Sequence, residues 1–159
     1  MIVREITRAD DEPLAAIIRC NLQRHGLDIP GTVYFDSNLD HLSDFYLANP
    51  DRRAYFILEE PLGQAAGGIG LAEFEPFPDC AELQKLYLSD GVKGSGLGYA
   101  LIRLVEEKAR SLGYRQLYLE THTNLQAAIH IYEKSGYRQI AQPASVVHST
   151  MNRFYLKDL

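Results

Sequence analysis

Hydrophobic and polar residues alternate along the chain in a pattern that predicts a mixed α/β protein. Short apolar runs bounded by glycine, proline or charged residues predict strands, and longer stretches with apolar residues three or four positions apart predict helices. The predicted strands cover residues 2–6, 53–59, 65–74, 81–88, 115–121, 137–140 and 150–157. The predicted helices cover residues 11–23, 37–48, 98–111 and 124–134. Strand meanders therefore flank one central β-α-β crossover.

Composition and charge narrow the class of protein. Of the 159 residues, 46% are hydrophobic and 23% are charged, which fits one soluble domain spanning residues 1–159. No apolar run approaches the roughly 18 residues of a membrane helix, and the N-terminus lacks the pattern of a signal peptide. The net charge of −5 argues against a broad nucleic-acid footprint. Cys20 and Cys80 have no metal-binding spacing and fit buried thiols in a reducing compartment. We therefore expect a cytoplasmic protein with no metal, nucleic-acid or membrane partner.

A glycine-rich segment, Lys93-Gly94-Ser95-Gly96-Leu97-Gly98, separates the strand 81–88 from the helix 98–111. Glycines let the backbone turn tightly and let a ligand approach bare N–H groups. The first N–H groups of a helix have no partner within the helix, and the helix dipole is positive there. The segment is therefore a candidate phosphate-binding loop. A plain strand-to-helix connection without a ligand is the competing interpretation.

Two known phosphate loops fit this segment poorly. A P-loop needs Gly-Lys-Ser/Thr at the start of the helix, whereas Tyr99 follows Gly98 here. A dinucleotide-binding turn needs G-x-G-x-x-G directly after the strand, but Tyr99 occupies the third glycine position. Glu120 does end the next strand at roughly the distance of a ribose-binding carboxylate, so a dinucleotide-binding oxidoreductase stays open as an alternative.

The order of elements and two motifs resemble the GCN5-related N-acetyltransferase (GNAT) superfamily. The loop signature of that family is Gln/Arg-x-x-Gly-x-Gly/Ala, and here Lys93 stands in place of the usual Gln or Arg. A second family motif is a helix ending in Ile-x-Leu/Phe-Tyr-Glu-Lys-x-Gly-Phe/Tyr, which matches Ile129 to Tyr137. The match covers residues 80–140, and over residues 1–75 only the order of elements agrees. The two motifs in this order are far more specific than either one alone.

The resemblance implies an α/β fold of mixed, α+β-like character. It consists of a central, mostly antiparallel, twisted sheet of about seven strands, with a β-α-β cofactor-binding core and flanking helices. The resemblance also implies an enzyme that transfers an acetyl group from acetyl-CoA, as cosubstrate, to an amine-bearing acceptor of unknown identity. Homodimers are common in the family. A non-catalytic acyl-CoA-binding sensor domain is the alternative function.

Cofactor-binding residues follow from the resemblance by position. The pantetheine arm pairs with the strand before the loop, here Leu86, Tyr87 and Leu88. The loop itself holds the pyrophosphate through residues at its turn and at the start of the helix: Lys93, Gly94, Ser95, Gly96, Leu97, Gly98 and Tyr99. Many relatives place an asparagine on the cofactor near position 125, so Asn124 either contacts coenzyme A or only caps its helix.

The catalytic residues are also implied by the resemblance. An alkylamine has a pKa near 10.4, so deprotonation at pH 7 costs about 4.6 kcal/mol, and a carboxylate can assist it. By position that carboxylate is Glu82, with Glu120 as the weaker candidate; a solvated or ion-paired glutamate is the alternative. Tyr132 matches the family tyrosine that protonates the leaving thiolate, with a core aromatic as the alternative. We expect residues 25–46 to cover the acceptor end of the site.

Aromatic side chains and carboxylates together suggest what the acceptor is. The N-terminal segment outside the cofactor motifs is rich in aromatic residues, namely Tyr34, Phe35, Phe45, Tyr46 and Tyr55. A cleft with aromatic walls and carboxylates at its floor favours a cationic amine. Aromatic residues that belong to the hydrophobic core are the alternative interpretation.

Overall fold

The structure of the protein is a computed structural model that describes residues 1–147 and 149–159. The described residues form seven strands and four α-helices. The strands are β1 (Ile2–Glu5), β2 (Ala54–Glu59), β3 (Ala65–Glu73), β4 (Cys80–Leu88), β5 (Gln116–Thr121), β6 (Arg138–Ile140) and β7 (Arg153–Asp158). The helices are α1 (Asp11–Arg24), α2 (Leu42–Leu47), α3 (Leu97–Ser111) and α4 (Gln126–Lys134). Short 3₁₀ turns lie at Arg8–Asp10, Val33–Phe35, Leu39–His41 and Asp90–Val92.

All of these strands belong to one sheet in the order β1-β2-β3-β4-β5-β7-β6. Every neighbouring pair is antiparallel except β4 and β5, which run parallel. A parallel pair needs a crossover connection, and α3 provides it. The sheet confirms the predicted fold class, including the strand number and the β-α-β unit.

Helices cover both faces of the sheet. On one face, α3 places Leu101 and Val105 in an apolar cluster with Phe56 of β2. On the other face, α1 and α2 contribute to a second cluster that contains Tyr55 and Ile57. Neighbouring residues of β2 therefore point into different clusters, as the two-residue period of a strand requires. Among the described residues, none of the helices has the length and apolar character needed to cross a bilayer.

The glycines of β3 allow an aromatic ring to lie against the strand. A β-carbon at Gly68 or Gly70 would come within 2.4 or 2.5 Å of the Tyr55 ring, which is too close for any larger residue. The register between β3 and β4 also shifts between Gly68 and Gly70. The extra residue is on β4, where Lys85 adopts a φ of 52°. Glycines within a strand are typical of a bulge or a close approach of the backbone, and both are present here.

The second predicted helix, residues 37–48, was too long. The structure has a 3₁₀ turn at Leu39–His41, and α2 covers only Leu42–Leu47. His41 has φ −142° and ψ 39°, which interrupts the helix. The carboxylate of Asp11 then accepts hydrogen bonds from the Ser43 backbone N–H at 2.8 Å and the Ser43 hydroxyl at 2.7 Å. This contact from α1 satisfies donors in the first turn of α2, so a tertiary interaction determines where the helix begins.

Candidate active site

The parallel strands β4 and β5 separate and open a cleft in the sheet. They pair only where Cys80–Glu82 lies opposite Gln116–Tyr118, although β4 continues to Leu88. The rest of β4 therefore has no strand partner on its β5 side. The cleft holds a cavity of about 780 Å³, which is large enough for a cofactor-sized ligand.

The bulge at Lys85 lies within the segment of β4 that borders the cleft. A bulge bends its strand and changes the direction of side chains. A lysine with φ 52° is an uncommon conformation, which costs on the order of 1–3 kcal/mol and needs support from its surroundings. The Tyr55 hydroxyl provides such support, because it donates a 2.8 Å hydrogen bond to the Lys85 carbonyl.

The glycine loop forms the end of the cavity nearest α3. Gly94 and Gly96 both have left-handed φ values, 76° and 80°, and open space lies where their β-carbons would stand. Gly96 is the N-cap of α3, and no side chain caps this helix end. The first N–H groups of α3 are thus available to an anionic ligand. The open space at Gly94 and Gly96 leaves room for a phosphate group, and the positive end of the α3 dipole attracts it.

Positive charge surrounds the same loop. Lys93 donates a 2.8 Å hydrogen bond to Asp90, and Arg24 at the end of α1 pairs with the same carboxylate. Burial, followed by repulsion from Arg24, lowers the pKa of the Lys93 ammonium. Two cations on one carboxylate leave an excess of positive charge close to the glycine loop, which favours phosphate.

The catalytic carboxylate predicted from the sequence lies in this cavity. Burial, and then repulsion from Glu120, raises the pKa of Glu82 to about 7. A Gln84 side-chain N–H lies 3.4 Å from a Glu82 carboxylate oxygen and partly offsets this effect. Gln84 is itself fixed by the Tyr46 hydroxyl, which donates to its side-chain oxygen at 2.7 Å. A carboxyl with a pKa near 7 can accept a proton at neutral pH.

The second carboxylate, Glu120, also lines the cavity. Its oxygens accept hydrogen bonds from the Tyr118 hydroxyl at 2.8 Å and the Ser149 hydroxyl at 3.4 Å. These partners hold Glu120 in place near Glu82. Its role in this arrangement is to supply the negative charge that makes ionisation of Glu82 more difficult.

Tyr132 of α4 borders the cavity from the opposite side of the cleft. Its side chain is only 6% exposed, and its ring packs edge-on against Tyr137 at a centroid distance of 6.1 Å. Burial, and then the nearby Tyr87, raises the pKa of Tyr132 above the ordinary value of 10. The hydroxyl therefore keeps its proton at neutral pH and can donate it to a stronger base.

Most of the residues predicted from the sequence lie around this one cavity. The lining includes Glu82, Leu86, Tyr87, Leu88, Lys93, Gly94, Gly96, Gly98, Tyr99 and Tyr132. Ser95 and Leu97 lie outside it. The Ser95 hydroxyl donates to the Val92 carbonyl at 2.6 Å, and Leu97 packs beside an apolar cluster that contains Val92.

The structure contradicts the helix-capping interpretation of Asn124, whereas its contact with coenzyme A stays a prediction. Its side-chain amide donates a 2.8 Å hydrogen bond to the His25 carbonyl, at the end of α1, and it does not line the cavity. The N-cap of α4 is Leu125, and no side chain caps that helix. Asn124 instead links the segment before α4 to α1. Asn21 links α1 to the other side of the cleft, because its amide donates to the Leu88 carbonyl at 3.0 Å.

The segment 25–46, which was predicted to cover the acceptor end, contributes His25, Thr32 and Asp36 to the cavity lining. The aromatic residues expected to form its walls do not line it, so this part of the prediction is wrong. Tyr46 and Tyr55 are buried in the core instead.

Lys85 is a cavity residue that the sequence analysis missed. Its side chain is 12% exposed, and its ammonium nitrogen lies 3.9 Å from a carboxylate oxygen of Asp36. Burial lowers the pKa of Lys85, while Asp36 and Glu82 act in the opposite direction. Strict alternation along β4 would point Lys85 away from Glu82 and Gln84, and only the bulge brings it to their side. The glycines of β3 were the one signal of that bulge.

No metal-binding cluster was found in the described part of the chain: within residues 1–147 and 149–159, no three His, Cys, Asp or Glu side chains come together in a suitable arrangement.

Comparisons with known proteins identify the family. The family model of the acetyltransferase (GNAT) family matches residues 14–137. The Escherichia coli (strain K12) protein YjgM, an uncharacterized N-acetyltransferase, is 34% identical over 141 residues, which cover 87% of this chain and 83% of YjgM.

Solved structures show the same fold. A GNAT-family acetyltransferase from Staphylococcus aureus MU50 has a TM-score of 0.84 and 22% identity, covering 99% of this chain and 98% of that one. A phosphinothricin acetyltransferase from Sinorhizobium meliloti, solved in complex with AcCoA, has a TM-score of 0.76 and 19% identity, covering 99% and 88%. A dinucleotide-binding oxidoreductase and a non-catalytic sensor domain are therefore set aside as functions, because the chain belongs to the GNAT family of acetyltransferases and is an acyltransferase.

Proposed function

We propose that the protein transfers an acetyl group from acetyl-CoA to a primary amine by direct attack within a ternary complex. The observation that carries the proposal is a single cavity that joins an anion-binding loop to a buried base and a buried acid. Gly94 and Gly96 lie at one end, and Glu82 and Tyr132 border the cavity from β4 and α4. The acyl donor and the acceptor can thus meet in one place.

Acetyl-CoA suits the donor side of the cavity. Its pyrophosphate matches the free N–H groups of α3 and the cations Arg24 and Lys93. On its β5 side, the segment Leu86 to Leu88 has no strand partner, so it can pair with amide groups of the pantetheine arm in the manner of an added strand. The S. meliloti relative was solved with AcCoA, which supports this choice of donor.

Glu82 and Tyr132 supply the proton transfers that the reaction requires. The amine nitrogen forms a bond to the acetyl carbon, and the bond from that carbon to sulfur breaks. Glu82 takes the proton that the amine loses, directly or through water, and Tyr132 gives a proton to the departing thiolate. The products are an acetamide and coenzyme A with Glu82 protonated and Tyr132 deprotonated, and transfer of one proton from Glu82 to Tyr132 through water restores both groups.

Ligand-induced stabilisation tests the donor site. Acetyl-CoA at 100 times its Kd should add about 2.7 kcal/mol to the free energy of unfolding, which for a chain of this size raises Tm by roughly 5–10 °C. Gly96→Ala should remove most of this shift, because the new β-carbon enters the space next to the N-terminus of α3.

Gly113→Ala is the matched control for the loop variant. Gly113 follows α3, has φ 90° with open space at its β-carbon, and is not part of the cavity lining. Both variants carry the same type of backbone strain, about 1–2 kcal/mol, but only Gly96→Ala should lose acetyl-CoA affinity. Equal affinities in the two variants would remove the loop from the site.

Acetylation of a panel of amines, with free thiol and product mass both measured, tests the reaction. Release of coenzyme A in step with formation of an acetamide is the expected result. Binding of acetyl-CoA without acetylation of any amine would refute the proposed reaction.

A further inference from the structure

Charges of both signs surround the acceptor end of the cavity. Glu82 and Glu120 provide carboxylates, and Lys85 provides an ammonium on the same strand as Glu82. Glu82 and Lys85 are close enough for each to influence the ionisation of the other. A ligand in this space therefore meets both carboxylates and an ammonium group.

The hydrogen-bond donors of the Lys85 ammonium are available to a ligand. The closest carboxylate oxygen among the described residues belongs to Asp36 at 3.9 Å, which is too long for a hydrogen bond. An ammonium has three donors, and in the described part of the chain no hydrogen bond from the Lys85 ammonium is present. The Lys85 side chain is only 12% exposed, and a lysine largely removed from water is usually found next to an opposite charge.

The backbone also points to a role for this side chain. Lys85 is held at φ 52° by the bulge, and the Tyr55 hydroxyl fixes its carbonyl at 2.8 Å. This conformation turns the lysine toward the face that bears Glu82 rather than toward the cluster beneath α3. Backbone strain of this kind is common in ligand-binding sites.

We propose that the acceptor is a zwitterion, a primary amine that also carries a carboxylate, with the amine at Glu82 and the carboxylate on the Lys85 ammonium. A free amino acid has this chemistry. This inference rests on the proposed function and adds the substrate class to it. Asp36 does not block the carboxylate, because its own side chain is 42% exposed and is not hydrogen-bonded to the lysine.

The test uses matched acceptors and the full-length protein. Each amino acid is compared with its carboxamide and with the amine that lacks the carboxyl group, and kcat/KM is measured by coenzyme A release. Wild type should favour the best amino acid over its carboxamide by about 10- to 100-fold, the range of one hydrogen bond between charged groups. A best acceptor without an anionic group would overturn the inference while leaving acetyl transfer intact.

Variants of Lys85 assign the preference to this residue. In Lys85→Met the ratio of kcat/KM for carboxylate over carboxamide should fall close to 1, and Lys85→Arg should retain part of it. Lys134→Met, at an exposed lysine that ends α4, is the control and should keep the wild-type ratio. An equal loss for all three acceptor classes in Lys85→Met would mean that the lysine only supports the fold. Failure of wild type to acetylate any amine would overturn the proposed function, and this inference with it.

Discussion

Replacement of Glu82 by glutamine tests the buried base most directly. The change keeps the shape of the side chain and removes the group that accepts the proton. The pKa of this carboxyl is about 7 instead of 4.5. Proton transfer from an alkylammonium to Glu82 is therefore less unfavourable by about 3 kcal/mol. Burial thus makes Glu82 a considerably better base than a solvated glutamate.

The pH dependence of kcat/KM distinguishes Glu82→Gln from wild type. In wild type, kcat/KM should increase about tenfold per pH unit below pH 7 and level off above it, because Glu82 must be ionised to act. Glu82→Gln should lack this inflection and continue to rise toward the pKa of the amine, near 10.4. At pH 7 the variant should be slower by at least about 10²-fold, and the deficit should shrink at higher pH.

Stability gives a second measurement that does not depend on activity. A carboxyl with a raised pKa binds its proton more tightly in the folded state, so ionisation of Glu82 destabilises the fold as the pH rises from about 4.5 to about 7. Glu82→Gln lacks this loss. Urea unfolding should show the variant gaining stability relative to wild type over that interval, by up to about 3 kcal/mol.

Glu107→Gln, at an exposed position on α3, is the control, and it should match wild type in both assays. Two results would refute the argument. One is an unchanged inflection near pH 7 in Glu82→Gln, which would assign the base to another group. The other is an unchanged pH dependence of stability, which would mean that Glu82 has an ordinary pKa.

Three further variants examine the surroundings of the site. Tyr132→Phe should lower kcat by roughly 10²-fold while the Kd for acetyl-CoA stays within a few-fold; wild-type kcat would make this tyrosine a purely structural residue. Glu120→Gln removes a negative charge near Glu82, so the inflection in kcat/KM should move to lower pH; an unmoved inflection would contradict the coupling. Lys157→Met removes the cation that donates to the buried Glu106 at 2.7 Å, and urea unfolding should show a loss of about 3–5 kcal/mol, whereas a loss below about 1 kcal/mol would show that water reaches this carboxylate.

The sequence predicted the fold well because its strands and long helices have strong periodicity. The glycine loop and the motif around Tyr132 predicted two parts of the cavity lining, and the resemblance predicted that Glu82 lies there as well. The length of α2 was not predictable in the same way, because the start of that helix depends on a hydrogen bond from the Ser43 N–H to the carboxylate of Asp11, which is distant in sequence.

The acceptor end was harder to predict for a related reason. A bulge adds one residue to a strand, and every side chain after it changes face. Alternation along β4 therefore gave no indication that Lys85 shares a cavity with Glu82. The aromatic residues of the N-terminal segment, such as Tyr46, did not predict the cavity lining. Aromatic side chains are typical both of a hydrophobic core and of a ligand-binding cleft, so composition alone does not distinguish the two.

Two asparagine hydrogen bonds connect the C-terminal end of α1 to both sides of the cleft. Asn21 is attached to the end of β4, and the His25 carbonyl receives the amide of Asn124 from the opposite side. A helix that lies outside the parallel strand pair is therefore connected to both sides of the opening. We therefore expect changes at these two contacts to widen or narrow the passage without altering Glu82 or Tyr132.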